Sequence, residues 1–280
     1  MIPPGRRPQG APMSGSLGHA LGMHLPRVVL PEALDGLAAE DSAAQRSRRD
    51  LQRLHRAMGT RTTLLRAIRA LPLTHAHSAP AAPLRVLELG AGDGSLMLGV
   101  ARALRGRWPA VALTLLDRQP LLTAATVAGY ALAGWTATSE VGDVLDWAAR
   151  AHAESASAAV APPAAPRWDF IVANLFLHHF KSAELAMLLA AVADSSEHFI
   201  ACEPRRAWLA WAGSHLVAVL GANAVTREDA VLSVHAGFRG HELQALWPVS
   251  AGWNLREHAA GLFSHCIVAS RTAGPSSGAR

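Results

Sequence analysis

The sequence predicts a doubly wound α/β fold with a mostly parallel sheet. From Arg85 onward, short apolar runs alternate with stretches of helical periodicity, which is the pattern of βαβ units. A glycine-rich turn directly follows the first run, at the end of a strand where open sheets of this class bind ligands. The chain has 280 residues, of which 50% are hydrophobic and 17% charged, and this is enough for one full core.

An N-terminal helical segment is expected before the sheet. Residues 1–30 are predicted to be a disordered tail, because the first 25 or so are rich in Pro, Gly and Ser and show no periodicity. Residues 31–77 are predicted to form a helical cap, in which Gly59 separates two amphipathic helices. The apolar face of the first helix carries Leu51, Leu54 and Met58, and that of the second carries Leu64, Leu65, Ile68 and Leu71.

The main domain is expected over residues 78–272, followed by a second disordered tail at 273–280. Residues 152–166, mostly Ala with three prolines, are predicted to be a flexible surface insertion. Residues 207–226 lack charge and are predicted to be a buried helix with its exit turn. The predicted strands are 85–89, 111–116, 136–141, 169–173 and 199–202, with an antiparallel pair at 253–258 and 262–270 closing the sheet.

Composition narrows the possible partners. The net charge of +5 comes from arginines that are spread along the chain, so it does not favour a nucleic-acid partner. Cys202 and Cys266 lie in separate apolar runs without CxxC spacing, so we expect buried thiols and neither a metal site nor a disulfide. The N-terminus lacks the apolar run of a signal peptide, and we expect a cytoplasmic protein without a membrane span.

The glycine turn predicts a nucleotide-containing ligand. Gly90, Gly92 and Gly94 form a G-x-G-x-G pattern, and the third glycine of a dinucleotide fingerprint would fall on Ser95. Asp117 follows the second predicted strand, where a carboxylate accepts hydrogen bonds from both ribose hydroxyls. Asp143 follows the third strand. Helix capping is the alternative role for both aspartates, since each precedes a predicted helix or turn.

Together with Glu88, this turn resembles the first motif of class I S-adenosylmethionine-dependent methyltransferases of the small-molecule type. The resemblance implies a Rossmann-like methyltransferase fold with a terminal antiparallel strand, and S-adenosyl-L-methionine as cofactor. It also implies that Asp143 contacts the adenine amino group and that Val144 packs on the ring. The cofactor-binding residues implied are Glu88, Gly90, Ala91, Gly92, Gly94, Asp117, Arg118, Asp143, Val144, Asn174 and Leu175.

The segment from Asp169 to Phe180 resembles the fourth-strand motif and the following His-His pair of the same family. There the two histidines lie beside the methionine part of the cofactor, and Asn174 lines the pocket floor. His178 or His179 is therefore our candidate general base for a phenol. The alternative is that the pair caps the next helix or packs under the loop. Asn174 is not followed by the Pro-Pro-aromatic sequence of enzymes that methylate nucleic-acid amines.

Three further segments resemble a bacterial subgroup, some members of which are found beside polyketide-type phenolic lipid pathways. They are residues 47–51, 203–206 and 223–238, the last of which is expected to complete an acceptor lid. The resemblance implies methylation of a small, apolar or phenolic metabolite, most simply on oxygen. The alternatives are methylation of an activated ring carbon, a non-catalytic partner protein that keeps the fold, and a nucleic-acid or protein methyltransferase.

Overall fold

A computed structural model describes residues 26–71, 82–158, 168–249 and 252–272. Seven strands in this part of the chain form one sheet, in the order β3-β2-β1-β4-β5-β7-β6. The strands are β1 (Leu84–Leu89), β2 (Val111–Asp117), β3 (Trp135–Val141), β4 (Trp168–Asn174), β5 (Ser196–Pro204), β6 (Trp253–Ala260) and β7 (Ser264–Arg271).

Helices precede the sheet and flank it. The two predicted N-terminal helices are present, and Gly59 separates them in a left-handed conformation, with φ 68°. The helices are α1 (Ser42–Met58), α2 (Thr60–Arg69), α3 (Ser95–Leu104), α4 (Ala124–Leu132), α5 (Val144–Ala158), α6 (Ser182–Ser195), α7 (Trp208–His215), α8 (Ala224–Ala236) and α9 (Glu242–Leu246).

The sheet confirms the doubly wound prediction. Strands β1 to β5 are parallel. Strands β2 and β3 are added on one side of β1, and β4 and β5 are added on its other side, so the strand order reverses between β1 and β4. Strand β7 is antiparallel to both β5 and β6, as predicted for the final pair. It is inserted between β5 and β6, however, so the antiparallel strand is not at the edge. The carboxyl ends of β1 and β4 are neighbours at the reversal point, where sheets of this kind bind ligands.

Two apolar layers cover the two faces of the sheet. Side chains alternate along each strand, so Leu87 and Ile171 pack in one layer and Val86 and Phe170 in the other. Strand β1 is almost continuously buried, as expected for a parallel strand with helices on both sides. This packing holds the carboxyl ends of the central strands in fixed positions.

Two helical predictions need correction. Helix α5 runs to Ala158, so residues 152–158 of the predicted insertion are helical, and 159–166 lie outside the described residues. The uncharged stretch is not one buried helix, since α7 ends at His215 and a 3-10 turn follows at Val217–Leu220. Apolar composition suggested burial, but within α7 only Ala210 and Ser214 are buried.

The N-terminal tail also differs from its prediction. Residues 26–30 were expected in the tail, but Arg27 donates hydrogen bonds to the carbonyls of Ala236 (2.8 Å) and Phe180 (2.9 Å). These contacts fix the start of a segment at residues 27–41, the N-terminal strap, which runs to α1. Residues 1–25 of the first predicted tail, the second predicted tail at 273–280, and residues 72–81, which include the predicted boundary between the cap and the main domain, lie outside the described residues. In the described part of the chain, no helix is long and apolar enough to cross a bilayer.

Candidate functional site

A cavity of about 1080 Å³ opens at the carboxyl ends of the central strands. All of the predicted cofactor-binding and catalytic residues line it except Gly94. Gly94 instead begins α3, where its carbonyl accepts a hydrogen bond from the Tyr130 hydroxyl (2.6 Å). The structure thus brings together side chains that the sequence placed on four different strand ends.

The glycine turn lets the backbone pass close to an aromatic ring. Gly90 and Gly92 have φ of +66° and +56°, a region that residues with a Cβ rarely adopt. A Cβ on Gly90 would lie 2.1 Å from the Phe176 ring, whereas one on Gly92 would meet nothing within 4 Å. The amides of Gly90 and Ala91 both donate to the Leu116 carbonyl, so the turn is attached to the end of β2.

The two predicted nucleotide carboxylates lie at the cavity and also organise local backbone. Asp117 accepts hydrogen bonds from the amides of Gly92 (2.8 Å) and Gln119 (3.0 Å). Asp143 accepts from the Leu145 amide (2.7 Å), which is the capping contact considered from the sequence. Asp117 and Asp143 can therefore each accept hydrogen bonds from local backbone amides and line the cavity at the same time.

Buried polar atoms without partners mark the floor of the cavity. Among the described residues, Oε2 of Glu88 and both amide atoms of Asn174 have no hydrogen-bond partner. Burial raises the pKa of Glu88 well above its usual range, and the negative charges of Asp93 and Asp117 add to this effect. Leaving a buried polar group unpaired costs about 1–3 kcal/mol. The carboxyl group of Glu88 and the amide oxygen of Asn174 offer acceptors for a ligand that carries an ammonium group.

His178 is held between two carboxylates. Its Nδ1 donates to Oε2 of Glu203 (2.8 Å), and its Nε2 lies 3.3 Å from Oε1 of Glu32. Burial opposes the charged form, but the hydrogen bonds to these two carboxylates outweigh burial and raise the pKa of His178 to about 9. An imidazole that is already protonated at neutral pH cannot accept a proton. We therefore interpret His178 as a structural imidazolium, which corresponds to the packing alternative considered from the sequence.

Glu203 explains why the His-His turn adopts its shape. This fully buried carboxylate also accepts hydrogen bonds from the amides of Phe176 and Leu177. The turn follows Leu175, which has a positive φ of 49° and is the only non-glycine residue with positive φ among those the structure describes. One buried carboxylate thus fixes both the backbone of the turn and the ring of His178.

His179 has a different environment. Its Nδ1 lies 3.1 Å from Oδ2 of Asp35, and its side chain is partly exposed to the cavity. Burial alone would raise the pKa of Asp35, but the hydrogen bond with His179 lowers it, so the aspartate is a carboxylate. A carboxylate on Nδ1 favours the tautomer in which Nε2 is the proton acceptor. The geometry makes His179, rather than His178, suited to act as a base.

The same residues have the spacing of a metal site. Single ligand atoms of Glu32, His178 and His179 lie within 4.8 Å of one another. Carboxylates already face both ring nitrogens of His178, that of Glu203 at Nδ1 and that of Glu32 at Nε2. We interpret this cluster as a network of ion pairs.

The N-terminal strap supplies residues that sequence reasoning missed. Glu32 and Asp35 lie on it, and Asp229 of α8 holds it through the amides of Ala33 (2.8 Å) and Leu34 (3.0 Å). Gln119 donates to the Leu37 carbonyl (3.1 Å), which connects the strap to the end of β2. No local sequence pattern identifies Glu32 or Asp35, because their partners are distant in the chain. Glu203 belongs to the segment 203–206 that resembles the bacterial subgroup, but nothing in the sequence indicates its role.

Residues of α7, the turn after it and α8, most of them apolar, form one wall of the cavity. Helix α7 and the turn after it contribute Ala210, Gly213, Val217 and Leu220. Helix α8 contributes Ala230, Ser233 and Val234, in agreement with the expected lid. This side of the cavity suits an apolar molecule.

No protein-family model matches the sequence, and no curated protein is similar to it. The fold is similar to that of solved structures. The S-adenosylmethionine-dependent methyltransferase SibL in its apo form has a TM-score of 0.51 and 16% identity, over 89% of this chain and 64% of that chain. An O-methyltransferase family protein from Burkholderia thailandensis has a TM-score of 0.50 and 15% identity, over 85% of this chain and 62% of that chain.

This chain therefore spans less than two thirds of the length of either protein. The two matches cover 85% and 89% of this chain, whose described part contains the mostly parallel seven-stranded sheet. On this likeness, the chain has the Rossmann-like fold of S-adenosylmethionine-dependent methyltransferases.

Proposed function

We propose that the protein transfers a methyl group from S-adenosyl-L-methionine to a hydroxyl group of a small, apolar or phenolic acceptor. The observation that carries this proposal is the set of unpaired buried atoms on Glu88 and Asn174 beside the glycine turn. Solved proteins with this fold include methyltransferases that are described as S-adenosylmethionine-dependent or as O-methyltransferases.

The residues at the carboxyl ends of the strands fit this cofactor. Glu88 and Asn174 offer acceptors for the ammonium group of its methionine part, and Asp117 offers a carboxylate for ribose hydroxyls. Asp143 and Val144 are suited to the adenine. When bound, the cofactor supplies a methyl group on a positively charged sulfur, so that a C–O bond forms as the C–S bond breaks and sulfur keeps the electron pair.

The chain's own contribution to the reaction is to orient the acceptor and to remove its proton. His179 receives the hydroxyl proton on Nε2, while Asp35 holds the Nδ1 proton and stabilises the imidazolium that forms. The apolar wall of α7 and α8 excludes water from the acceptor. His178 keeps the turn in position through Glu203 and takes no proton.

The experiment that tests this proposal is a transfer assay with a panel of phenols and labelled S-adenosylmethionine. We expect a labelled product whose mass spectrum places the methyl group on oxygen. His179→Ala lowers kcat about 10²–10⁴-fold, because a positioned base is removed. His241→Ala, which changes an exposed histidine at the start of α9, is the matched control and leaves kcat unchanged. A methyl group on carbon, or full activity of His179→Ala, contradicts the proposed reaction.

A further inference from the structure

An exposed apolar surface lies on the outer side of α7 and the turn that follows it. Val219, Leu216 and Trp208 are 83%, 64% and 56% exposed, in a stretch with no Asp, Glu, Lys or Arg from residue 207 to 226. Monomeric proteins rarely expose so many large apolar side chains in one place. We name this surface the apolar face; it comprises Trp208, Leu209, Trp211, Leu216, Val219 and Leu220, together with Leu262 and Phe263.

The two segments of the apolar face are in contact. The Phe263 ring packs against Gly213, at a distance of 2.8 Å from where a Cβ would stand. The Arg205 amide donates to the Phe263 carbonyl (2.8 Å), which ties the turn between β6 and β7 to the start of α7. The apolar face is therefore continuous from α7 to this turn.

A stripe of positive charge adjoins the apolar face. Arg46, Arg49, Arg53 and Arg56 of α1 are exposed, and their spacing of three, four and three residues places them on one side of the helix. The one acidic residue within α1, Asp50, is buried and forms an ion pair with Arg53 (2.6 Å). Arg53 donates to the Leu220 carbonyl (3.2 Å), so the stripe begins where the apolar face ends. Arg205 lies at the opposite border, where it donates to the Gly261 carbonyl (3.1 Å).

We propose that the apolar face and the arginine stripe together bind the surface of an anionic lipid bilayer. Exposed Trp and Leu beside Arg is the combination with which peripheral proteins enter the lipid interface. Each arginine near an anionic surface adds attraction that falls within a Debye length. A symmetric dimer through the apolar face is the alternative occupant, and the experiment below distinguishes it from a bilayer.

This surface also borders the cavity. Gly213, Val217, Leu220 and Phe263 line the cavity from within, while their neighbours Leu216 and Val219 are exposed on the outside. The proposed bilayer-facing surface and one wall of the cavity are therefore formed by the same segment. The inference goes beyond the proposed methyl transfer and does not depend on it.

Vesicle co-sedimentation of the full chain tests the proposal. We expect binding to vesicles that contain phosphatidylglycerol, weaker binding at high salt, and little binding to pure phosphatidylcholine. Val219→Asp lowers binding by more than about tenfold, because it places a charge in the acyl region. Arg49→Gln with Arg56→Gln lowers it by about 25-fold, or about fivefold for each charge.

Matched controls separate this surface from general effects. Leu132→Asp, at a leucine 72% exposed on α4, and Arg107→Gln, at an exposed arginine after α3, bind like the wild type. Equal unfolding midpoints show that the variants fold. The proposal is overturned if the wild type does not bind phosphatidylglycerol vesicles, or if Val219→Asp binds them equally well. It is also overturned if the wild type is a dimer that does not bind vesicles and that Val219→Asp converts to a monomer. The apolar face is then an interface between two copies of the chain.

Discussion

The Nδ1 atom of His179 lies 3.1 Å from the Oδ2 atom of Asp35, a residue of the N-terminal strap. The pair joins the first described segment of the chain to the turn after β4, and both side chains line the cavity. In the proposed reaction, Asp35 orients the base and does not itself touch the acceptor. It is a positioning residue.

Asp35→Asn is expected to lower kcat for a hydroxylated acceptor by about 10- to 100-fold. The amide no longer selects the tautomer that leaves Nε2 free, whereas cofactor binding does not involve this side chain. Steady-state kinetics and calorimetry with S-adenosylhomocysteine measure the two effects separately. Asp35→Glu restores part of kcat. Glu40 is an exposed carboxylate near the end of the strap, and Glu40→Gln is expected to leave kcat unchanged. An Asp35→Asn enzyme with normal kcat contradicts the role of the pair.

His178 makes the stability of the protein depend on pH. Its pKa is about 9 in the folded protein against an ordinary value of 6.5, because Glu203 and Glu32 face its two nitrogens and outweigh burial. The stabilisation is complete below pH 6.5 and is lost as the pH rises through 9, with a maximum of about 3 kcal/mol. Urea unfolding of the wild type and of His178→Gln at pH 6 and pH 9.5 measures it.

The wild type is expected to lose more free energy of unfolding over this interval than His178→Gln does. The neighbouring His179, Asp35 and Arg27 are present in both proteins, so the difference between the two pH profiles reports the part that requires the His178 imidazole. His258→Gln, at an exposed position of β6, is the control and follows the wild type. Parallel pH profiles for wild type and His178→Gln are incompatible with a buried imidazolium.

The Glu88 side chain is expected to increase the affinity for the cofactor and to lower the free energy of unfolding of the ligand-free protein. Burial raises its pKa in the ligand-free protein, so stability falls as the pH rises above the ordinary value for a glutamate. Glu88→Gln removes this cost but also removes a charged acceptor, which lowers affinity for S-adenosylmethionine by about 10- to 100-fold. Calorimetry and urea unfolding on the same samples show both effects. Unchanged affinity excludes Glu88 from the cofactor site.

Gly90 and Gly92 provide a matched pair for the glycine turn. Alanine is strained at both, because both have positive φ, but only at Gly90 does the new Cβ overlap the Phe176 ring. Gly90→Ala is therefore expected to be less stable than Gly92→Ala by about 1–3 kcal/mol, the usual cost of forcing extra volume into a packed site. Chemical denaturation of both variants measures the difference. Equal losses mean that Phe176 moves away freely.

The sheet and the cofactor side of the cavity were predictable because their signals are local. The glycine turn and Asp117 directly follow apolar runs, and Asp143 comes two residues after the third strand; a parallel sheet places all such positions at one edge. Most predicted strand ends are exact or short by one to three residues, most of all in β5, which extends from Ser196 to Pro204, whereas the last predicted strand begins two residues before Ser264. The ends of β5 contain Glu and Pro, residues that are depleted in strands.

The roles of the two histidines were not predictable, since they depend on partners far away in the chain. Only the fold brings Glu203 and Glu32 to His178 and Asp35 to His179. The exposure of α7 was missed for a related reason, because composition does not reveal which side of an apolar helix meets the core. The arginine spacing on α1 is visible in the sequence, but its contact with Leu220 is not.

The most direct test of the proposed function is a calorimetric titration of the purified protein with S-adenosylhomocysteine, with NAD as a control ligand. Asp117→Ala is the test variant, and Asp146→Ala, at an exposed aspartate of α5, is its matched control. We predict saturable binding in the micromolar range for the wild type and Asp146→Ala, its loss in Asp117→Ala, and no binding of NAD. Absence of binding to the folded wild type would contradict the assignment of this cavity to the sulfonium cofactor, and with it the proposed methyl transfer.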